Sequence, residues 1–156
     1  MPASKIMDYL DKNHVPYQII PHYESFTAQG TAAAAHVPGR ELAKTVMVSL
    51  DGKMVMVVLP ASFKISFAQL KEAAGAARAE LAREEEFNHI FPGCEVGAMP
   101  PFGNLYGVDV YVSQSLREDE WIAFNAGNHV ELIRMSYKDF ERLVKPKVLK
   151  FSVQAA

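Results

Sequence analysis

The sequence predicts a mixed α/β fold, and three observations carry that prediction. Short apolar, β-branched runs alternate along the chain with segments that begin at Ser or Thr and stop at Gly or Pro, the punctuation of interleaved strands and helices. One pair of runs, 45–50 and 53–60, flanks Asp51-Gly52, the chemistry of a type I′ hairpin. The 156 residues, 49% hydrophobic and 22% charged, suit one domain over residues 1–156 with a core of its own.

Taken in order, Ser4 is placed to cap a first helix with Ile6, Met7 and Leu10 on one side, ending near Asn13. Residues 15–20 alternate and stop at Pro21, a strand. Thr27 is a second N-cap, and Val37-Pro38-Gly39 closes that helix. Both hairpin runs are apolar at nearly every position, which predicts central strands buried on both faces. Ser66 caps a helix over 67–74 that Gly75 stops, and 79–82 is a short strand. Glu84, Glu85 and Glu86 set acids at the positive end of a helix finishing before Pro92. Prolines and glycines make 92–107 an irregular loop. Strands follow at 108–113 and 119–124, then a turn at 125–129 and a strand at 130–135. Ser136 caps a helix through Val144, and beyond Pro146 a last strand covers 148–151.

Sixteen basic against eighteen acidic residues leave a net charge of −2. Phosphate neutralisation dominates the grip on long nucleic acids, so proteins with that task are strongly basic. This balance predicts no DNA partner and leaves room for one short nucleic-acid end on a local basic patch. Cys94 is alone, which excludes an intramolecular disulfide or a cysteine zinc site and predicts a reducing, cytoplasmic setting. The opening residues lack the apolar run of a signal peptide. The most apolar stretch, 54–60, is far short of the roughly 20 residues that span a bilayer, so no membrane partner is expected. His14, His22, His36 and His89 are dispersed without i, i+4 pairs, and neither a phosphate loop nor a G-x-S-x-G elbow occurs. No metal, cofactor or catalytic triad is expected.

Three places remain that can carry chemistry. Lys44 precedes an apolar strand, where a lysine serves as a point charge for phosphate or as a gatekeeper against aggregation. The loop Gly97-Ala98-Met99-Pro100-Pro101-Phe102-Gly103 either walls a pocket with backbone N–H groups or is a connector pinned by Phe102. Gly127-Asn128-His129 is either a ligand-facing loop or a tight turn with a half-exposed histidine.

Ala43-Lys44-Thr45-Val46-Met47-Val48, then Pro100-Pro101-Phe102-Gly103, then Asn125-Ala126-Gly127, together resemble the YbaK/ProX family of aminoacyl-tRNA deacylases. That family includes the editing domain of bacterial prolyl-tRNA synthetase and free-standing trans-editing proteins, and the resemblance covers nearly the whole chain. It implies a mixed β-sheet curled toward a barrel and surrounded by helices. It implies hydrolysis of the ester joining a wrong amino acid to a tRNA 3′ end, by a positioned water without a protein nucleophile, a metal or a cofactor. Alanine on tRNA(Pro) is the first substrate to consider. The implied catalytic residues are Lys44, Gly127 and His129. Gly97, Met99, Pro100, Pro101, Phe102, Gly103 and Asn128 are the implied substrate contacts, with Phe26, Met47 and Phe63 lining the pocket. Arg40, Lys44 and Lys64 are candidate phosphate contacts. The implied partners are the tRNA acceptor end and an aminoacyl-tRNA synthetase. The alternative is a non-catalytic tRNA- or synthetase-binding module on the same fold.

Overall fold

The structure, a computed structural model, describes residues 4–155. Helix α1 (Ser4–Lys12) buries Ile6 and Leu10, as their spacing requires. Ser4 lies inside this helix rather than capping it. Strand β1 (Gln18–Pro21) starts later than the alternation suggests, because Val15 turns into the core instead of joining a ladder. Helix α2 (Ala28–Ala35) is capped by Thr27, whose hydroxyl accepts from the Gly30 N–H, and His36 ends it in the left-handed region.

Strands β2 (Leu42–Leu50) and β3 (Lys53–Pro60) form the expected hairpin. Asp51 and Gly52 have φ of +50° and +85°, the two positive values a type I′ turn needs. The Asp51 carboxylate also accepts from the Ala77 and Arg78 N–H groups, tying the turn to the chain ahead of β5. Next come β4 (Phe63–Ile65), α3 (Phe67–Ala74) with Ser66 as its cap, β5 (Ala79–Leu81) and α4 (Glu84–Phe87). After the long loop come β6 (Asp109–Ser113), α5 (Gln114–Arg117), β7 (Trp121–Asn125), β8 (Glu131–Ser136) and α6 (Tyr137–Val144). The single last strand expected at 148–151 is two, β9 (Lys147–Leu149) and β10 (Ser152–Gln154). They part because Phe151 drops fully into the core and its carbonyl accepts from Ser66.

The main sheet runs β1-β8-β7-β2-β3-β6-β9, with β5 pairing on β2, while β10 and β4 form a separate ribbon. Parallel contacts (β2 with β7, β3 with β6, β6 with β9) mix with antiparallel ones, and the pairing path is open at β1 and β9. Strand β3 is buried on both faces, as its unbroken apolar run requires. Met56 and Val58 enter a core with Phe102, Phe124 and Phe140, while Val55, Val57 and Leu59 enter one with Leu70 and Phe151. A third, smaller cluster joins Leu42, Ala61, Ala123 and Leu132 to Ala32 of α2. No helix among the described residues is long and apolar enough to cross a membrane.

Candidate functional site

The site begins where two strands part. The parallel pairing of β2 with β7 lasts two residues, Leu42 with Ala123 and Ala43 with Phe124. Strand β2 then runs on and takes up β5 only at Val48. On this edge the Glu41 carbonyl accepts from the Ala123 N–H, and the Met47 carbonyl accepts from the Ala82 N–H. Backbone groups alternate sides along a strand, so Thr45 presents its own between these two, where no described strand lies opposite.

Side-chain alternation places Lys44 on the face of Leu42, above the cluster shared with α2. Asn125 lies two residues beyond Ala123, hence on the same face, and the register sets it alongside Lys44 as the ladder ends. The Lys44 ammonium is half-buried and donates one long hydrogen bond, 3.4 Å, to the Ala61 carbonyl. Burial pushes its pKa below the usual lysine value. Asn125 Oδ1 and Thr45 Oγ1 are both buried without a hydrogen-bond partner among the described residues. Native proteins rarely leave such atoms unpaired; Asn125 shares the face of Lys44, while Thr45, one residue further along β2, points to the opposite face with Ala43 and Met47.

The two loops singled out in the sequence meet beside this divergence. The Gly127 N–H donates to the Ala98 carbonyl at 2.9 Å, and the Gly127 carbonyl accepts from the Glu95 N–H at 2.7 Å. His129 Nε2 lies 2.8 Å from the Val96 carbonyl. A carbonyl only accepts, so this ring nitrogen carries the proton. The His129 backbone N–H in turn donates to Glu95 Oε2 at 3.2 Å. Gly127 and Gly97 have φ of +97° and +82°, the left-handed region glycine enters freely. The Gly97 N–H, on an exposed residue, has no partner among the described hydrogen bonds. The chain leading into α2 covers the second loop: the His22 and Ser25 N–H groups donate to the Val130 and His129 carbonyls. Phe26 sets its ring 4.6 Å from the imidazole of His129, which is 6% exposed.

The remaining sequence candidates separate clearly. Met47, Met99 and Phe102 lie in the apolar core beneath the loops, with Ala126. Phe102 is fully buried against Tyr9, Phe124 and Phe140, so it anchors the loop from below. Pro100, Pro101 and Gly103 are buried with it. A methyl group on Gly103 would meet the Val108 carbonyl at 2.7 Å, so that glycine serves packing. Asn128 works on its own turn, its Oδ1 accepting from the Val130 and Glu131 N–H groups. Phe63 packs against the core on the other side of β3, away from the loops. Arg40 and Lys64 are exposed, and the Arg40 guanidinium lies 3.6 Å from the Glu41 carboxylate; the Gly39 carbonyl accepts from Ser62, the neighbour of Ala61, whose carbonyl holds Lys44. Thr45 and Asn125 were not singled out by side-chain chemistry, because only the end of the β2–β7 ladder makes them conspicuous.

The sequence pattern of the aminoacyl-tRNA editing domain matches residues 22–143. The chain belongs to that family. The stretch includes β2, both loops and the segment that carries Phe26. A proline–tRNA ligase of Bacillus mycoides (strain KBAB4) is 24% identical over 85 residues, which are 54% of this chain and 15% of the ligase. The chain therefore spans only a small part of that relative's length. The fold is shared with a hypothetical protein, APE2540 (TM-score 0.83, 22% identity, 96% of this chain and 99% of that one). It is shared too with a protein described as a candidate trans-editing enzyme for prolyl tRNA synthetase (TM-score 0.80, 16% identity, 99% and 97% covered). These likenesses bear out the mixed α+β sheet with its surrounding helices.

Proposed function

We propose that this protein hydrolyses the ester of a mischarged aminoacyl-tRNA carrying a small amino acid, with alanine on tRNA(Pro) the first substrate to examine. Family membership supports an editing role. The observation that carries the chemical reading is the divergence of β2 and β7, where the half-buried Lys44 and the unpaired Asn125 oxygen share one face of the sheet beside the joined Gly97 and Gly127 loops.

In this reading the half-buried Lys44 ammonium takes a phosphate of the terminal nucleotide, with Arg40 and Lys64 near the preceding ones. The aminoacyl group lies over the floor of Met47, Met99 and Ala126. Water adds to the ester carbonyl carbon, and the tetrahedral oxyanion accepts from the free N–H of Gly97. Collapse breaks the bond to the ribose oxygen, which leaves with a proton, and free amino acid and tRNA depart. One preorganised oxyanion donor contributes about 10²–10³ in kcat, and holding the ester and water in reacting orientation adds to it. His129 is a positioning residue: its Nε2–H on the Val96 carbonyl fixes the peptide that presents Gly97. The Gly127 N–H is committed to Ala98, so Gly127 acts by holding the loops together.

Release of labelled amino acid from Ala-, Cys-, Ser- and Pro-charged tRNA(Pro), with Ala-tRNA(Ala) as control, tests this reading. Hydrolysis of one mischarged species supports it and names the substrate. No hydrolysis across the panel by folded protein refutes it and leaves a binding module.

A further inference from the structure

Charge is not spread evenly over this chain. Residues 62–71 and 142–156 carry Lys64, Lys71, Arg142, Lys145, Lys147 and Lys150 and no Asp or Glu. Those are six of the sixteen basic residues and none of the eighteen acidic ones, so the remainder holds ten against eighteen. The fold brings the two stretches together as the β4–β10 ribbon, in which Lys64 sits beside Val153. Phe63 and Ile65 turn into the cluster with Leu70 and Phe151, so Lys64 between them faces outward. Lys150 precedes the buried Phe151, and Lys147 lies three residues before it, its ammonium 5.7 Å above the Tyr111 ring. Lys64, Lys145, Lys147 and Lys150 are exposed, and none has an ion-pair partner among the described residues, whereas Arg40, Lys53, Arg78, Arg83, Arg117 and Arg142 each have one. Two carboxylates border the patch: Glu72 shares a shallow hollow with Lys150, and Asp109, near Lys147, is taken by Lys53 at 2.7 Å. The ribbon also adjoins the site. Lys44 pairs with Leu59, which enters the same cluster as Phe63, so Lys44 shares the sheet face that the ribbon covers. Its ammonium is held by the Ala61 carbonyl, and Ser62, the next residue, accepts from the Ala155 N–H where the ribbon ends. From there to Ser66, whose N–H meets the Phe151 carbonyl, is four residues, about 13 Å. Surfaces normally intersperse both signs, and a one-sign strip leading to a site steers a partner of opposite charge. The chemistry of the strip says which partner. None of the exposed large apolar side chains lies in these two stretches, so there is no wedge for a lipid surface and no ring on which unpaired bases stack. Lysines alone read phosphate, the feature that a duplex presents outward.

We propose that the β4–β10 ribbon, with Lys64, Lys150 and Lys147 along it, docks the phosphate backbone of an RNA duplex whose single-stranded 3′ end enters the site. That the partner is RNA rests on the editing function proposed above, but the docking is testable without hydrolysis. The probes are an RNA hairpin whose stem ends in single-stranded CCA and the trinucleotide CCA alone, both dye-labelled and followed by fluorescence anisotropy. Lys147→Gln/Lys150→Gln removes two charges from the far part of the ribbon. Lys12→Gln/Lys138→Gln removes two exposed lysines elsewhere and is the control for net charge. Each duplex phosphate contact adds about 0.9 to the slope of log affinity against log salt. The ribbon variant therefore lowers the hairpin slope by about 1.8, so that a fourfold rise in salt costs wild type about 12-fold more hairpin affinity than it costs the variant. Wild type prefers the hairpin to CCA, the ribbon variant narrows that preference, and the control variant keeps it. An unchanged hairpin slope in the ribbon variant overturns the docking face, and so does an equal fall in both variants, which would be net charge alone. Capture by phosphatidylserine vesicles through Lys147 and Lys150, without hairpin binding, overturns the RNA partner in favour of a lipid surface. Hairpin binding through the ribbon by a protein that hydrolyses none of the charged tRNAs upholds the docking face and removes the deacylase reading. Hydrolysis by a protein whose hairpin slope ignores both lysines does the reverse.

Discussion

Asp119 is the most exacting place to test the electrostatics of this fold. It sits just before β7, its Oδ2 is buried without a hydrogen-bond partner, and its pKa is pushed up to about 6. Burial is the main cause, and the Glu41 carboxylate across the start of β2 adds to it. The group's ordinary value is 3.8, so between about 4 and 6 the folded chain holds a proton that the unfolded chain has lost. Stability is then lost as pH rises through that window and stays reduced above it. A shift of about two units at about 1.4 kcal/mol each sets a ceiling near 3 kcal/mol. Because Asp119 is only partly buried, solvent screening trims this to about 1–2 kcal/mol. Asp119→Asn removes the charge at nearly constant shape. Urea unfolding of both proteins at pH 4, 5, 6, 7 and 8 should give matching stabilities at pH 4 and a variant about 1–2 kcal/mol more stable at pH 7–8. The difference of the two curves reports this carboxyl together with its coupling to Glu41. A difference that does not change with pH, or a less stable variant at pH 7, refutes the reasoning.

The remaining predictions concern the site and its support. Lys44→Met should abolish most deacylation and lower the slope of log affinity for tRNA against log salt by about 0.7, the share of one single-strand phosphate contact; an unchanged slope moves Lys44 off the phosphate. His129→Ala should cut single-turnover hydrolysis by about 10–100-fold, because the Val96–Gly97 peptide loses its anchor and one oxyanion donor is worth no more than about 10²–10³. Full activity in that variant would show that the two loops hold without it. Phe102→Ala should cost about 3–5 kcal/mol in denaturant unfolding, since it empties the volume between Tyr9, Phe124 and Phe140. A cost under 1 kcal/mol would mean that the core recloses.

What was legible in the sequence was what local chemistry decides. Thr27, Ser66 and Ser136 each accept a backbone N–H in the first turn of the helix they open. The Asp51-Gly52 pair adopts both positive φ values, and the apolar run of β3 serves two cores. What was not legible depends on partners far along the chain. Strand β4 and helix α5 span three and four residues, too few to show a period. Strand β2 extends back to Leu42 because β7 arrives beside it. The sequence leaves the loop around Phe102 as either a pocket wall or a connector pinned by that ring, because the partners that decide it lie elsewhere in the chain. Three aromatic partners spread from Tyr9 to Phe140 draw it inward. The link between His129 and Val96 crosses 33 positions and has no local signature.

The short β2–β7 ladder has a desolvated charge at each end, and comparing the two separates a functional charge from a merely costly one. At the entry, Asp119 faces Glu41, a repulsion between two carboxylates. At the exit, burial holds the Lys44 pKa down, and the strands open there with Thr45 and Asn125 unpaired. Because the folded pKa of Lys44 lies below its unfolded value of about 10.4, the unfolded chain binds the proton more firmly. The charged lysine therefore lowers stability at neutral pH, and the loss is relieved as pH climbs toward that value. Both Asp119→Asn and Lys44→Met should then unfold at higher temperature than wild type at pH 7. Only the second should lose activity. If Lys44→Met were less stable, its contact with the Ala61 carbonyl would be structural support, and the case for Lys44 as a ligand-binding charge would fall. If Asp119→Asn also lost hydrolysis, the whole ladder, rather than its open end, would be the functional unit.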